Sequence, residues 1–172
     1  MTKPDKLIAD VLAAAHGEIV GRIRLQKIVY LLDQVGMDSG LRFHYHHYGP
    51  YSRELDEALF RAQALQGVRE DILYRQIDGM PYSIFRLGGC GQCHASGSIG
   101  RLPAERARDL IQAMKSESST VLELAATIRW LVEEEKATDW RTELVRRKGA
   151  KTERGRTSRA VALLERLGLA LT

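Results

Sequence analysis

Apolar residues recur at helical spacing along most of this chain, and glycines close several of the segments. The clearest segment covers residues 22–35, and its apolar face consists of Leu25, Ile28, Val29, Leu32 and Val35. Gly36 follows at once and can end the helix, because glycine readily adopts the left-handed backbone found after many helices. Comparable apolar faces occur in the ranges 5–15, 52–65, 103–114, 118–132, 138–147 and 160–167. The spacing therefore predicts a fold made mainly of α-helices.

One stretch in the middle of the chain is typical of β-strands instead. Residues 72–77 and 80–87 favour two strands joined by Asp78-Gly79, a common two-residue turn in β-hairpins. We therefore expect an α+β protein, a mainly helical domain with a small β-hairpin. The order helix, helix, hairpin is also that of a winged helix, so a winged-helix-like order is part of this expectation.

The composition fits a single domain that spans residues 1–172. The chain is 44% hydrophobic and 28% charged, which supplies enough apolar material for one core and argues against general disorder. No apolar stretch approaches the roughly 20 residues that a membrane-spanning helix needs, and the N-terminus lacks the apolar core of a signal peptide. The two cysteines lie close together and cannot easily link distant elements, as is typical of reducing compartments. We therefore expect a cytoplasmic protein without membrane association.

A glycine- and serine-rich stretch, residues 88–100, is predicted to be a mobile loop. Within it, Cys90, Cys93 and His94 have the spacing of a c-type haem attachment site, but haem attachment normally requires export, and the N-terminus carries no export signal. A zinc site is the alternative, with His44 or His46 as a further ligand, because these two histidines would share one strand face. A loop with incidental thiols is the favoured interpretation, so we expect no cofactor.

The stretch from residue 43 to residue 52 is the one place where aromatic residues, histidines and a Gly-Pro pair occur together. Gly49-Pro50 predicts a tight turn, and Ser52 is typical of a residue that caps the start of a helix. Acidic residues follow Ser52, which suits the positive end of a helix dipole. The stretch is therefore expected to lead directly into a helix.

Two pairs of sequence blocks carry a family resemblance. Residues 21–32 read Gly-Arg-Ile-Arg-Leu-Gln-Lys-Ile-Val-Tyr-Leu-Leu and are followed at 48–52 by Tyr-Gly-Pro-Tyr-Ser. Together they resemble the bacterial Panacea-type domain, a group that includes the SocA-like antitoxins and the YwgA-like proteins. Residues 122–131 resemble a second block of the YwgA-like branch, and 148–152 lie where that branch often has a Lys-Pro turn. The chain departs from the pattern at Gly149, which replaces the proline, and in the insertion at 88–100.

The resemblance implies a mostly helical domain that neutralises a toxin by direct contact or serves as an adaptor to another protein. The motif residues that it carries over are Gln26, Lys27, Tyr30, Tyr48, Gly49, Pro50 and Tyr51, and His46 adds a contact residue beside them. Two interpretations stay open. The set is either a structural lock between two helices, in which Gln26 or Lys27 hydrogen-bonds a carbonyl or tyrosine hydroxyl of the turn, or a partner-binding surface built on that lock.

An enzymatic function is not expected from the sequence. His44, His46 and His47 could act as general acid-base groups or metal ligands, but a hydrolase would also present a nucleophile or a carboxylate signature. Neither a phosphate-binding glycine loop nor a zinc-protease motif occurs in the chain. We therefore expect a non-enzymatic module that binds a protein partner, with a toxin as one candidate.

DNA binding is the runner-up. The helices of a helix-turn-helix are joined by about 3–4 residues, whereas residues 36–51 separate the two candidate helices here. The second candidate helix would also repel phosphates, because it begins with the acidic residues Glu54, Asp56 and Glu57. A DNA-binding regulator would instead use the basic segment 146–159, which we predict to be a turn, so nucleic acid is a less favoured partner than protein.

Overall fold

The computed structural model describes residues 3–89 and 97–171. The first half of the chain forms α1 (Pro4–Ala14), β1 (Glu18–Val20), α2 (Arg22–Gln34), β2 (His44–His46), β3 (Gly49–Tyr51), α3 (Arg53–Leu65), β4 (Val68–Tyr74) and β5 (Pro81–Leu87). The second half forms β6 (Ser98–Ile99), β7 (Leu102–Pro103), α4 (Ala104–Lys115), α5 (Ser119–Glu133), α6 (Trp140–Lys148), a short 3-10 helix (Gly149–Thr152) and α7 (Arg156–Arg166). The predicted fold class, mainly helical α+β, is confirmed.

Helix α5 lies at the centre of the fold, in contact with α2, α6, α7 and β3. Its apolar residues surround most of its circumference, and a helix that is apolar on nearly all sides is stable only inside a core. The buried apolar side chains of α5 are Val121, Leu122, Leu124, Ala125, Ala126, Ile128 and Leu131. One buried cluster joins them to side chains from every other α-helix of residues 3–89 and 97–171.

The strands form small antiparallel sheets, and the largest has the order β1-β5-β4. Strands β4 and β5 make the predicted hairpin, but Tyr74 pairs with Pro81, so the predicted two-residue turn at Asp78-Gly79 is wrong. The connection is longer because Arg75 N donates to Met80 O (2.9 Å), while the Asp78 carboxylate accepts from Met80 N (3.1 Å). An aspartate that binds nearby backbone in this way stabilises a wider turn.

The segment between α2 and α3 contains a second hairpin, in which β2 pairs with β3. The tight turn predicted at Gly49-Pro50 is wrong, because these two residues belong to β3 and the turn of the hairpin lies at residues 47–48. Strand β3 packs between α2 and α5. Strand β1 pairs with β5, but its three residues are too few to give a recognisable pattern in the sequence. The winged-helix-like order stays a prediction.

Residues 90–96 of the predicted mobile loop at 88–100 lie outside the described residues. Its last residues are not a loop, since Ser98 and Ile99 form β6 and pair with β7. Gly100 follows with φ +56°, and a Cβ atom there would lie 2.1 Å from Met37 O. This glycine is therefore required by a close backbone approach. Among the described residues, no helix is long and apolar enough to cross a membrane.

The central position of α5 leads to a stability prediction. Leu122 is fully buried, and Leu122→Ala should lower the free energy of unfolding by about 2–5 kcal/mol, because it removes apolar contacts and leaves a cavity. Phe60→Ala is the control, since Phe60 is 75% exposed and its loss should change stability by about 0.5 kcal/mol or less. Urea denaturation followed by circular dichroism measures both. Equal effects of the two changes would contradict the central role of α5.

Candidate functional site

Two buried side chains of α2 hold residues 47–52, the stretch of hairpin turn and β3 that leads into α3 and that we call the turn. The Gln26 amide pairs with both backbone groups of Ser52: Nε2 donates to its carbonyl and Oε1 accepts from its N–H, each at 2.9 Å. Lys27 Nζ donates to the Pro50 carbonyl at 2.5 Å. The predicted hydrogen bonds from Gln26 or Lys27 to a carbonyl of the turn are confirmed. Ser52 also caps α3, since its hydroxyl accepts from Leu55 N at 3.2 Å.

Burial of these α2 side chains was not expected from the periodicity of the helix, which leaves residues 26, 27 and 30 beside the apolar face. Gln26, Lys27 and Tyr30 are each 2% exposed or less. The β2–β3 hairpin and α5 cover this side of α2. These contacts join segments that are distant in the sequence, so the periodicity of α2 alone does not reveal them. Buried polar groups are tolerated when they are hydrogen-bonded, and the turn supplies the partners for Gln26 and Lys27.

Gly49 is fixed by both its backbone and its surroundings. Its φ is +83°, in the left-handed region, and a Cβ atom there would lie 2.8 Å from Thr127 Oγ1. Thr127 cannot easily give way, because its hydroxyl donates to the Glu123 carbonyl at 2.8 Å within α5. Only glycine therefore lets β3 approach α5 this closely.

Below the turn, the buried carboxylate of Glu123 forms ion pairs with two lysine ammonium groups. Lys148 Nζ lies 2.8 Å from it and also donates to the His47 carbonyl at 3.0 Å, while Lys151 Nζ lies 3.0 Å from the carboxylate. Burial lowers the pKa of Lys27 to about 8; the charge of Glu123 opposes this shift, and Lys148 and Lys151 add to it. The region beneath the turn thus holds more positive than negative charge.

Asp56 connects the turn to α2 at the surface. Its carboxylate accepts the Tyr51 hydroxyl, the Gln26 amide at 3.1 Å and the Arg22 guanidinium at 3.2 Å. The hydrogen bond to this carboxylate, followed by burial, raises the pKa of the Tyr51 hydroxyl. The His46 and Tyr51 rings lie 5.3 Å apart, so these two side chains pack against each other.

These contacts leave an open pocket of about 300 Å³, which we call the tyrosine cleft. It is lined by Arg22, Ile23, Gln26, Lys27, His46, Tyr48 and Tyr51. Tyr48 is 44% exposed at its rim. Of the residues predicted from the sequence, Gln26, Lys27, His46, Tyr48 and Tyr51 therefore meet at one cleft, with Gly49 and Pro50 buried in the strand behind it.

Tyr30 belongs to the core and not to this cleft. Its ring packs edge-to-face on Phe43 at 5.2 Å and lies 6.4 Å from the Trp130 ring. Its hydroxyl has no hydrogen-bond partner among the described residues, and burial raises its pKa. The expectation that Tyr30 contributes to a contact surface does not match this position, because α5 covers the residue.

The sequence analysis missed the residues that support the turn from below, namely Glu123 and Thr127. In the sequence, Glu123 can be recognised as a charged residue between apolar neighbours in the first half of α5. Its partners come from a segment 25 or more residues further along, so no local pattern could identify them.

The predicted metal ligands Cys90, Cys93 and His94 lie outside the described residues. Residues 3–89 and 97–171 contain no group of three or more histidine, cysteine, aspartate or glutamate side chains that could hold a metal ion. His44 and His46 do lie on one face of β2, as predicted, and both are exposed.

The prediction that the basic segment 146–159 is a turn is wrong. The segment contains the end of α6, the 3-10 helix and the start of α7. Several of its cations are paired. Arg147 lies 2.6 Å from both Glu135 and Glu143, and Arg159 lies 2.8 Å from Glu117. These pairs, with those of Lys148 and Lys151, reduce the positive charge that the segment presents to a partner.

Comparison with known proteins places this fold in a family. The chain is 33% identical over 130 residues to the uncharacterized protein YwgA of Bacillus subtilis, a match that covers 70% of this chain and 72% of YwgA. The chain therefore belongs to the YwgA family. No family model matches the sequence.

A second relative carries an enzyme name. The chain is 33% identical over 131 residues to a DNA ADP-ribosyl glycohydrolase of Thermus aquaticus, covering 75% of this chain but only 35% of that protein. This similarity contradicts the expectation that the chain is not an enzyme. That expectation rested on the lack of a linear catalytic motif, whereas groups such as Tyr51, Asp56 and Arg22 come together only in the folded chain.

The low pKa of Lys27 predicts a pH-dependent stability. Below pH 8 the ammonium is protonated in both states, but between about pH 8 and 10.5 the unfolded chain binds more protons than the folded chain. The free energy of unfolding should therefore rise over this interval, by about 1–3 kcal/mol, relative to a Lys27→Met variant. Urea titrations of both proteins at several pH values measure the difference. A constant difference across the interval would contradict the assignment.

Proposed function

We propose that this chain is a cytoplasmic binding module of the Panacea type that acts by direct contact with a partner protein, as an antitoxin-like protein or an adaptor. The observation that carries the proposal is the tyrosine cleft, an aromatic surface held in place from beneath by buried hydrogen bonds. Aromatic side chains in well-packed surroundings supply much of the binding energy of protein interfaces.

The rigidity of the turn supports this proposal. Tyr48 and Tyr51 flank a glycine that cannot be replaced easily, and the backbone between them is bound to Lys27. A surface that is already ordered loses little conformational entropy when a partner binds. The structural lock and the contact surface are therefore compatible, because the lock fixes the positions of the tyrosines.

The alternative is a DNA-binding regulator that uses residues 146–159. The ion pairs of Arg147, Lys148, Lys151 and Arg159 with carboxylates favour the protein-binding proposal, because paired cations attract phosphates less. Binding to nucleic acid would weaken steeply with salt, which separates the two proposals experimentally.

Affinity capture from the native host tests the contact surface. Tyr48→Ala removes an exposed ring that makes no hydrogen bond among the described residues, so it should leave the fold intact and weaken partner binding by about 2 kcal/mol, or roughly thirtyfold. Binding of the captured protein is then measured by calorimetry with wild type and variant.

Val145→Ala serves as the control, because Val145 is an exposed apolar residue on α6 outside the cleft. It should bind the partner as the wild type does. Equal binding by Tyr48→Ala would contradict the proposed surface, and salt-sensitive capture of nucleic acid without protein would favour the alternative.

The similarity to a DNA ADP-ribosyl glycohydrolase supports a second candidate function, removal of ADP-ribose from DNA. A neighbouring pocket of about 620 Å³, the acidic cleft, is lined by Tyr51, Arg53, Asp56, Glu57, Phe60 and Arg61. Hydrolysis of glycosidic bonds commonly uses a pair of carboxyl groups, and arginines suit the phosphates of ADP-ribose. Asp56 accepts three hydrogen bonds, whereas Glu57 is half exposed and lies 3.4 Å from Arg53, so Glu57 is the carboxyl group of this pocket that we assign to proton transfer.

Incubation of the chain with ADP-ribosylated DNA tests this second candidate. Chromatography measures the free ADP-ribose that is released. Glu57→Gln should abolish this release, because the amide cannot donate the proton to the leaving group. Glu105→Gln, at an exposed position on α4, is the matched control and should retain activity. Equal release by wild type and Glu57→Gln would rule out this role for Glu57.

A further inference from the structure

A second pocket lies beside the tyrosine cleft. This pocket, of about 540 Å³, shares Arg22, Ile23 and Tyr48 with the tyrosine cleft, so the two are adjacent along the N-terminal turns of α2. Its far wall is built by Arg24, Arg75, Met80, Pro81, Tyr82 and Ser119. We call the two pockets together the cationic groove. It extends from Lys27 and His46 to the β4–β5 hairpin and the start of α5.

The described residues that line this groove carry positive charge and no carboxylate. Arg22 and Arg75 are paired with acidic residues that do not line the groove. Arg22 lies 3.1 Å from Glu70 and 3.2 Å from Asp56, and Arg75 lies 2.6 Å from Asp78. The acidic cleft on the other side of Tyr51 differs, because its lining sets the carboxylates of Asp56 and Glu57 against two arginines. The groove is therefore the face of this region that attracts anions.

Two of its cations lack a salt bridge within the described part of the chain. Arg24 donates only to backbone carbonyls, those of Glu117 (2.6 Å) and Lys115 (3.2 Å). Lys27 likewise donates only to a carbonyl, that of Pro50, and an ammonium has further N–H groups to offer. Arg24 Nε is buried without an acceptor. These cations can accept a carboxylate without first releasing one.

The shape of the groove favours an extended peptide. The tyrosine cleft has a volume of about 300 Å³, and Lys27 in its lining is only 1% exposed. A carboxylate on the flexible side chain of aspartate or glutamate can enter such a cleft, whereas the phosphate of a nucleic acid is part of a bulky backbone. The walls supply tyrosine rings and Met80, which suit the apolar portions of a peptide.

We propose that the cationic groove receives an acidic, extended segment of the partner protein, with one aspartate or glutamate side chain entering the tyrosine cleft toward Lys27. This inference rests on the proposed protein-binding function and adds the chemistry of the partner. A second carboxylate of the same segment lies against Arg24. Complementary charge of this kind sets which partners bind as well as how fast they associate.

Ser119 offers a test that removes no native contact. It is exposed at the first position of α5 and lines the groove, and an acidic residue in the first turn of a helix is tolerated. Ser119→Glu places a negative charge in the groove, and Ser119→Gln adds the same bulk without the charge. Arg108→Gln on the exposed side of α4 controls for a change of net charge.

Wild-type protein is used to select binders from a library of random peptides, and the affinities of the selected peptides are measured by fluorescence anisotropy. The expected result is enrichment in aspartate and glutamate, with binding weakened about tenfold or more by Ser119→Glu and unchanged by Ser119→Gln and Arg108→Gln. Lys27→Met, once shown to be folded by circular dichroism, should also weaken binding.

Several results would overturn the proposal: no peptide is selected, the selected peptides lack acidic residues, or Ser119→Glu binds them as tightly as Ser119→Gln. Tighter binding of an oligodeoxythymidine probe, lost in Ser119→Glu, would instead assign the groove to nucleic acid. A partner protein captured through Tyr48 that binds Ser119→Glu and Ser119→Gln equally would leave the proposed function standing and remove only this inference.

Discussion

The pairing of the Gln26 side-chain amide with the backbone of Ser52 joins two helices that are separated by a long connection. A glutamine amide offers one acceptor and two donors, so a single side chain can satisfy both the N–H and the C=O of one buried residue. Ser52 in turn caps α3, which places the start of that helix against α2. The hairpin between the helices is thereby confined, and the cleft that it borders has a defined shape.

The charges beneath the turn show why this arrangement depends on α5 and α6 as well. Glu123 is a single carboxylate close to several ammonium groups, and it compensates the burial of Lys148, whose side chain is 3% exposed. A buried charge without a partner would be strongly destabilising. The carbonyl of His47 takes another N–H of the same lysine, which ties the hairpin to α6. The position of the hairpin that carries the tyrosines therefore depends in part on Glu123 and Lys148, which are buried.

The sequence predicted those parts of the structure that depend on local patterns. Helical periodicity located the main helices, and Ser52 was recognisable as a cap. The pattern failed where tertiary contacts decide the outcome: Leu65 continues the apolar stripe of α3 but is 70% exposed, whereas Lys27 is charged and buried. The family resemblance pointed to the turn and to Gln26 and Lys27. It could not indicate that Glu123 supports them, because that contact exists only after α5 packs under the hairpin.

The distances along the chain between contacting residues have a consequence for biosynthesis. Lys27 and Pro50 are 23 residues apart, but Lys148 and the carbonyl of His47 are separated by 101 residues. The entropic cost of closing a loop rises slowly with its length, so the second contact costs more chain entropy than the first. While the chain is still being translated, the hairpin can dock on α2 but lacks its support from α6. The cleft therefore gains its support from α6 only once residue 148 has been synthesised.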